Sequence, residues 1–458
     1  MLFIVIKENY FNIDKDNDDE NEPKKFIGKK SNNLIEEDNE INTDSKLINE
    51  NNNNNNQEIK KPPPFYTKLI NNASKSKFFK KLIGKKVEEK EKLENTIINK
   101  IFFMKGKKND SDVQVLRSSS KWSAGIKNTE NSILQAYIKL IQEAEHYIYI
   151  ENQFFVSKSY DENDKKNCKY KDLLPKKIKN TIAYEIRKRI IDAYKNNKKF
   201  RVIVFLPLLP GFPGEPKEST LQIIMRYTYQ AICRNYKTSI IEKLEAEMGE
   251  KWKDYIGFYS LRGHGLVNGI PKTEIIYIHS KLMIVDDKKV IIGSANINDR
   301  SMLGDRDSEF CVLIHEKERN NFIIDGQKTK ASNFAHSFRT HLMAEHLGLD
   351  INNENDKKIL NDPLSNDLWS MLINRAKNNT EIYRKVFYCY PDDNMKTFDQ
   401  VPEKLKEEKL DELKKLYDEE KDNIKGHIVE FPLHFLEREE LGIPFFSKEK
   451  IVPEKTYT

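Results

Sequence analysis

The chain has 458 residues, a formal net charge of +6 and 33% charged residues. A net charge that small over that length does not by itself argue for a nucleic-acid partner. Four cysteines (Cys168, Cys233, Cys311, Cys389) lie far apart with no CxxC pair. That pattern signals neither a zinc site nor a disulfide framework and fits a reducing cytosol. The opening apolar run, Met1 to Ile6, is too short for a signal-peptide core. No later stretch approaches the roughly 20 apolar residues of a spanning helix, so contact with a membrane is expected to be peripheral.

Residues 1–112 read as low-complexity, rich in Asn and Lys, and mostly disordered, with a run of asparagines from Asn51 to Asn56 and the triplet Pro62, Pro63, Pro64. Lys75 to Lys86 and Ile101 to Lys108 interleave Phe and Leu with lysines. Such segments fit an anionic bilayer surface or a simple solvated run of lysines, and both readings stay open. From residue 113 the texture becomes globular. Apolar spacing predicts a helix over 132–145 and a buried strand over 146–150. A helix over 181–195 leads to a strand over 200–206, stopped by Pro207 and a turn-rich segment that includes Gly211 and Gly214. A helix over 221–233, a strand near 255–259, a charged helix over 403–420 and a strand over 426–431 complete the pattern. Strands alternating with helices predict an α/β fold, a layered sheet flanked by helices.

The chemistry concentrates between Ile275 and Asn296. Residues 275–286 read as a strand on which His279 and Lys281 share a face, because side chains two apart point the same way. Asp286 and Asp287 then turn the chain, and Val290, Ile291 and Ile292 return to Gly293, Ser294, Ala295 and Asn296. An imidazole, an ammonium, a hydroxyl and an amide thus meet at one end of a sheet. Lys281 offers positive charge to the non-bridging oxygens of a phosphodiester, and Ser294 and Asn296 offer hydrogen bonds. Gly293 permits close backbone approach, and His279 can attack phosphorus or protonate the leaving oxygen. No spacing of ligand residues calls for a metal. Six specified positions coincide by accident on the order of once in ten million starts at average residue usage.

This run resembles the HxKxxxxD signature of the phospholipase D superfamily with its trailing GSxN. The likeness extends to the eukaryotic phospholipase D enzymes that carry PX and PH domains. Ile292 to Glu309 (IGSANINDRSMLGDRDSE) is similar to their second catalytic motif, and Trp122 to Ile126, Ile148 to Phe155 (IYIENQFF), Leu206 to Phe212, Val386-Phe387 and Ile451 to Pro453 follow in the same order. The resemblance covers about 113–458 and implies one lobe of a two-lobed catalytic core, with 401–458 as its C-terminal tail. It implies that His279, Lys281 and Asp286 take the motif's roles, with Asp286 structural and His279 the general acid opposite a nucleophilic histidine of a first motif. Glu309 then matches the carboxylate that orients the imidazole.

Glu151, Asn152 and Gln153 follow an apolar strand, where they are either an active-site loop or a turn with capping side chains. The basic stretch around Arg187 to Arg201 resembles the family's phosphoinositide-binding region, with Arg189 and Lys195 the best matches; a solvated helix face is the other reading. His146, His336, His341 and His346 read as structural. No other histidine has a lysine two residues on and an aspartate seven on: His315 has Lys317, but the seventh residue is Phe322. The missing first motif is expected from a longer product, a second copy of the chain, or a separate half.

The expected function is hydrolysis of a phosphatidylcholine-like lipid to phosphatidic acid and choline through a phosphohistidine. The alternatives are a dimeric phosphodiesterase or nuclease with one motif per chain, and a non-catalytic membrane-binding half-domain. No cofactor is expected; by resemblance a phosphoinositide serves as activator. The implied partners are a phospholipid surface, the second motif-bearing half and small GTPases, with no nucleic acid.

Overall fold

The computed structural model describes residues 111–441 apart from 173, 176, 177, 213, 317–319 and 403–409. The low-complexity lead 1–110, the Ile451 to Pro453 match and the first seven residues of the 403–420 helix lie outside them. All described residues belong to one compact unit.

Among the described residues twelve strands build two sheets: β1 Ser111–Ser119, β2 Glu130–Asn131, β3 Tyr147–Asn152, β4 Arg201–Phe205, β5 Ile256–Val267, β6 Ile270–Ile275, β7 Lys281–Val285, β8 Lys289–Gly293, β9 Glu309–Glu316, β10 Asn320–Ile324, β11 Gln327–Ala331 and β12 Ile428–Glu430. The main sheet runs β12-β5-β4-β3-β7-β8-β9-β1-β2, with β6 paired to β5, while β10 and β11 form a separate hairpin. β3, β4 and β5 are mutually parallel. Parallel neighbours need crossover connections, and helices Ile182–Lys195, Ser219–Ile232 and Ile240–Met248 lie within those two.

Strand alternation sorts the core into two layers. Ile148 and Ile150 of β3 pack with helices Ser132–Glu143, Ile182–Lys195 and Ser219–Ile232 on one face. Tyr147 and Tyr149 face the other way, against helices Asn333–Leu347 and Asn366–Phe387. The predicted α/β layering is therefore the observed architecture.

Several boundaries differ from the sequence reading. The strand read over 255–259 is twelve residues long because its distal half has β6 as a partner. The single strand read over 275–286 is split: β6 ends at Ile275, β7 starts at Lys281, and 276–280 belong to neither. His279 therefore sits in the lead-in to β7 and not within a strand. The strand read over 146–150 continues through Glu151 and Asn152, which pair with Leu282 and Lys281.

Candidate active site

Register places the motif residues. Asn152 lies opposite Lys281, Leu282 opposite Ile292, Gly293 opposite Cys311, and Glu309 opposite Ser118. The ends of β3 and β8 and the starts of β7 and β9 thus gather at one edge of the sheet, and His279, Lys281, Ser294, Asn296 and Glu309 gather with them.

Lys281 is 7% exposed. Its Nζ donates to Oε1 of Gln153 at 2.8 Å and to the carbonyl of His279 at 2.6 Å, committing two of the ammonium's three hydrogens. Burial pushes the amine down to about 8, partly opposed by the Glu309 charge. His279 is exposed, and its imidazole lies 6.2 Å, centroid to centroid, from the ring of Tyr277. Desolvation and the Lys281 charge push it below the ordinary histidine range. Protonated, it is the stronger acid for that shift.

Gly293 is dictated by packing: a Cβ there would fall 2.3 Å from the Phe310 carbonyl and 2.5 Å from the Cys311 Cα. The Ser294 hydroxyl donates to Glu309 and accepts from the Phe310 amide at 3.1 Å. The other Glu309 oxygen accepts from Ser301 at 2.7 Å, so in this structure the carboxylate serves two hydroxyls. Oδ1 of Asn296 is buried and lacks a hydrogen-bond partner among the described residues.

Asp286 lies at the opposite end of β7, roughly 17 Å from Lys281 at strand rise. Its carboxylate accepts the amides of Glu145, His146 and Tyr147, each at 2.8 Å. Asp286 and Asp287 have φ of 54° and 48°, the two positive values of a type I′ hairpin turn. Its position is that of a turn-forming clamp, far from the reacting groups.

Glu151 and Asn152 do not form a loop. They are the last strand residues of β3, both buried. Glu151 tolerates burial because Tyr149, Ser280 and Nε2 of His346 donate to it at 2.6, 2.6 and 2.8 Å. Burial alone would raise its carboxyl, but the hydrogen bonds and charge of His346, with Ser280 and Tyr149, outweigh it and hold the group at about 2. Asn152 Oδ1 accepts from Phe154 and Ile297 amides at 3.1 and 3.0 Å, tying β3 to the segment after Asn296. Only Gln153 lies beyond the strand and touches a motif side chain.

Arg189 and Lys195 belong to the far end of the sheet. Arg189 turns inward: Nε donates to the Ala144 carbonyl at 2.6 Å, and the guanidinium stacks 4.2 Å from the Phe200 centroid. Lys195 is exposed and pairs with Glu247 at 3.3 Å. The sequence reading missed Tyr277, Ser280, Ser301 and His346 as site contributors. Tyr277 and Ser280 lie within two residues of His279, so the motif itself points to them; His346 lies 195 residues from Glu151 and carries no local signal.

Beside Gln153 opens a small apolar cleft, lined by Phe154, Leu206, Pro207, Leu208, Tyr229 and Phe431 among others. Among the described residues, no three His, Cys, Asp or Glu side chains stand together as a metal site, and no helix is long and apolar enough to cross a membrane.

His279, Lys281, Ser294 and Asn296 thus stand at the same end of a mixed sheet, and their groups are of the kinds that can bind a phosphodiester. The phospholipase D family model matches residues 80–274 and 268–389. Human phospholipase D1 is 41% identical over 361 residues, covering 76% of this chain and 31% of that protein. Bovine phospholipase D2 is 41% identical over 350 residues, 76% of this chain and 35% of that protein. Phospholipase D zeta 2 of Arabidopsis thaliana is 42% identical over 309 residues, 66% of this chain and 28% of that protein. This chain belongs to the phospholipase D family. It spans about a third of the length of these relatives.

Proposed function

We propose that residues 113–458 form one catalytic lobe of a phospholipase D that hydrolyses a phosphatidylcholine-like lipid to phosphatidic acid and choline. The observation that carries this reading is the Lys281 ammonium, held between Gln153 and the His279 carbonyl beside an exposed imidazole and next to an apolar cleft. The ammonium faces the charge of a phosphodiester, and the cleft's apolar wall offers contact to the glycerolipid.

In the proposed reaction an imidazole from the first motif attacks phosphorus and forms a phosphohistidine. His279 gives its proton to the departing choline oxygen, then takes a proton from the water that attacks phosphorus and releases phosphatidic acid. Lys281 offsets the charge that develops on the non-bridging oxygens. Ser294 and Asn296 contribute hydrogen bonds once Ser294 turns from Glu309 to the substrate. In this scheme Glu309 orients the His279 imidazole.

The imidazole of the first motif comes from a further part of the same product or a separate half, or its place is taken by another copy of the chain. The protein works in the cytoplasm at a phospholipid surface. Phosphoinositide acts through the helix end bearing the exposed Lys195, Arg189 being committed to the Ala144 carbonyl, and small GTPases are further partners. Choline release from phosphatidylcholine vesicles, by the chain alone and with a first-motif half, tests the reading. Release that disappears with His279→Asn supports it; no release from any reconstituted pair refutes it. Light scattering and a DNA-cleavage assay separate the reading in which two copies form a nuclease.

A further inference from the structure

Tyr277 lies two residues before His279 and joins two parts of the site that are distant in sequence. Its Oη accepts from the Gly211 amide at 3.0 Å and from Nε2 of Gln153 at 3.0 Å. The same Gln153 offers Oε1 to the Lys281 ammonium. The amide's orientation is unambiguous, because an ammonium only donates and therefore requires the carbonyl oxygen. A continuous path runs from the loop backbone through phenol and amide to the ammonium.

The loop end of the path is tightly seated. A Cβ at Gly211 would fall 2.4 Å from the Tyr277 ring, so the loop backbone lies flush against it. That loop, residues 206–212, supplies Leu206, Pro207, Leu208 and Pro210 to one wall of the apolar cleft, and Phe212 meets Phe154 at 6.4 Å between ring centroids.

We propose that Tyr277 is a positioning residue: its hydroxyl couples the cleft-wall loop to Gln153 and so sets the direction of the Lys281 ammonium. This deepens the phosphodiesterase reading and rests on Lys281 being the phosphate-facing cation. The loop's seat against the phenol then decides whether the ammonium is presented correctly, which links the apolar wall to the charged site.

The test needs no substrate, so the coupling can fail while the phosphodiesterase reading stands, and the reverse. The intact chain is labelled with limiting acetic anhydride across about pH 7 to 10, bracketing the Lys281 titration, and acetylation is read at Lys281 by peptide mass spectrometry. Amide exchange of the 206–212 segment is followed in parallel. Tyr277→Phe is expected to speed Lys281 acetylation about three- to tenfold, the equivalent of one hydrogen bond, and to move its pH midpoint. Exchange in the loop rises while the melting temperature stays close to wild type. Gln153→Leu gives the same gain, and the double variant adds nothing to it. Gly211→Ala, which pushes on the ring and leaves the hydroxyl in place, reproduces the effect from the loop side. Lys281 kinetics unchanged in Tyr277→Phe, or effects of Tyr277→Phe and Gln153→Leu that multiply, would overturn the coupling.

Discussion

Nε2 of His346 lies 2.8 Å from Oε1 of Glu151, and both side chains are almost wholly buried. The other Glu151 oxygen accepts from Ser280, the residue between His279 and Lys281. A helix on one face of the sheet thereby grips the segment that carries the motif.

Removing one member of such a pair leaves the other buried without compensation, which costs roughly 3–5 kcal/mol. Glu151→Ala is therefore expected to destabilise by that order in urea unfolding at neutral pH. The pH dependence has a definite sign. The folded carboxyl is held at about 2, below the unfolded value of about 4.3. The stabilisation is fully present above the unfolded value and disappears as pH falls from there through the folded value. Wild type loses stability across that window more steeply than Glu151→Gln does.

Asp286 accepts three backbone amides far from the reacting groups. Asp286→Ala strands those donors, at about 1–3 kcal/mol for each that stays buried and unpaired. Any loss of activity should follow the loss of folded protein measured by thermal denaturation. Normal stability with lost activity would give Asp286 a chemical role.

At Gly293 the backbone of β8 touches β9, leaving no room for a methyl group. Gly293→Ala is expected to cost about 1–3 kcal/mol as the pair is forced apart. Calorimetry gives the cost, and amide exchange should show the loss of protection concentrated at the β8–β9 end near Cys311.

Lys281 loses its charge as pH rises through about 8. Its attraction for a phosphodiester, whose own charge is constant in this range, declines over the same interval. At one unit above the midpoint about a tenth of the ammonium remains. Glycerophosphocholine affinity measured by NMR should fall between about pH 7 and 9, and Lys281→Met should show no saturable binding anywhere in that range.

How much of this was legible in the residues depends on sequence distance. The β7–β8 hairpin, its Asp286-Asp287 turn and the gathering of His279, Lys281, Ser294 and Asn296 follow from a contiguous run with period-two side chains. The α/β layering follows from alternating helix and strand patterns. Glu151 ends a strand, where three polar residues after an apolar run suggest an active-site loop or a capped turn; the hydroxyl and imidazole that satisfy it come from 129 and 195 residues away. The inward turn of Arg189 was equally hidden, since its acceptors are the carbonyls of Ala144 and Glu145 in another element. The interruption at 276–280 went unseen because Ile276 and Ile278 are buried and keep a strand-like alternation.

The most direct measurement is a titration of the chain with glycerophosphocholine, a water-soluble phosphodiester, followed by side-chain and amide NMR. Saturable shifts at His279, Lys281, Ser294 and Asn296 that vanish in Lys281→Met are the predicted result. Saturable binding that leaves those four residues unmoved, or that persists in Lys281→Met, would contradict it.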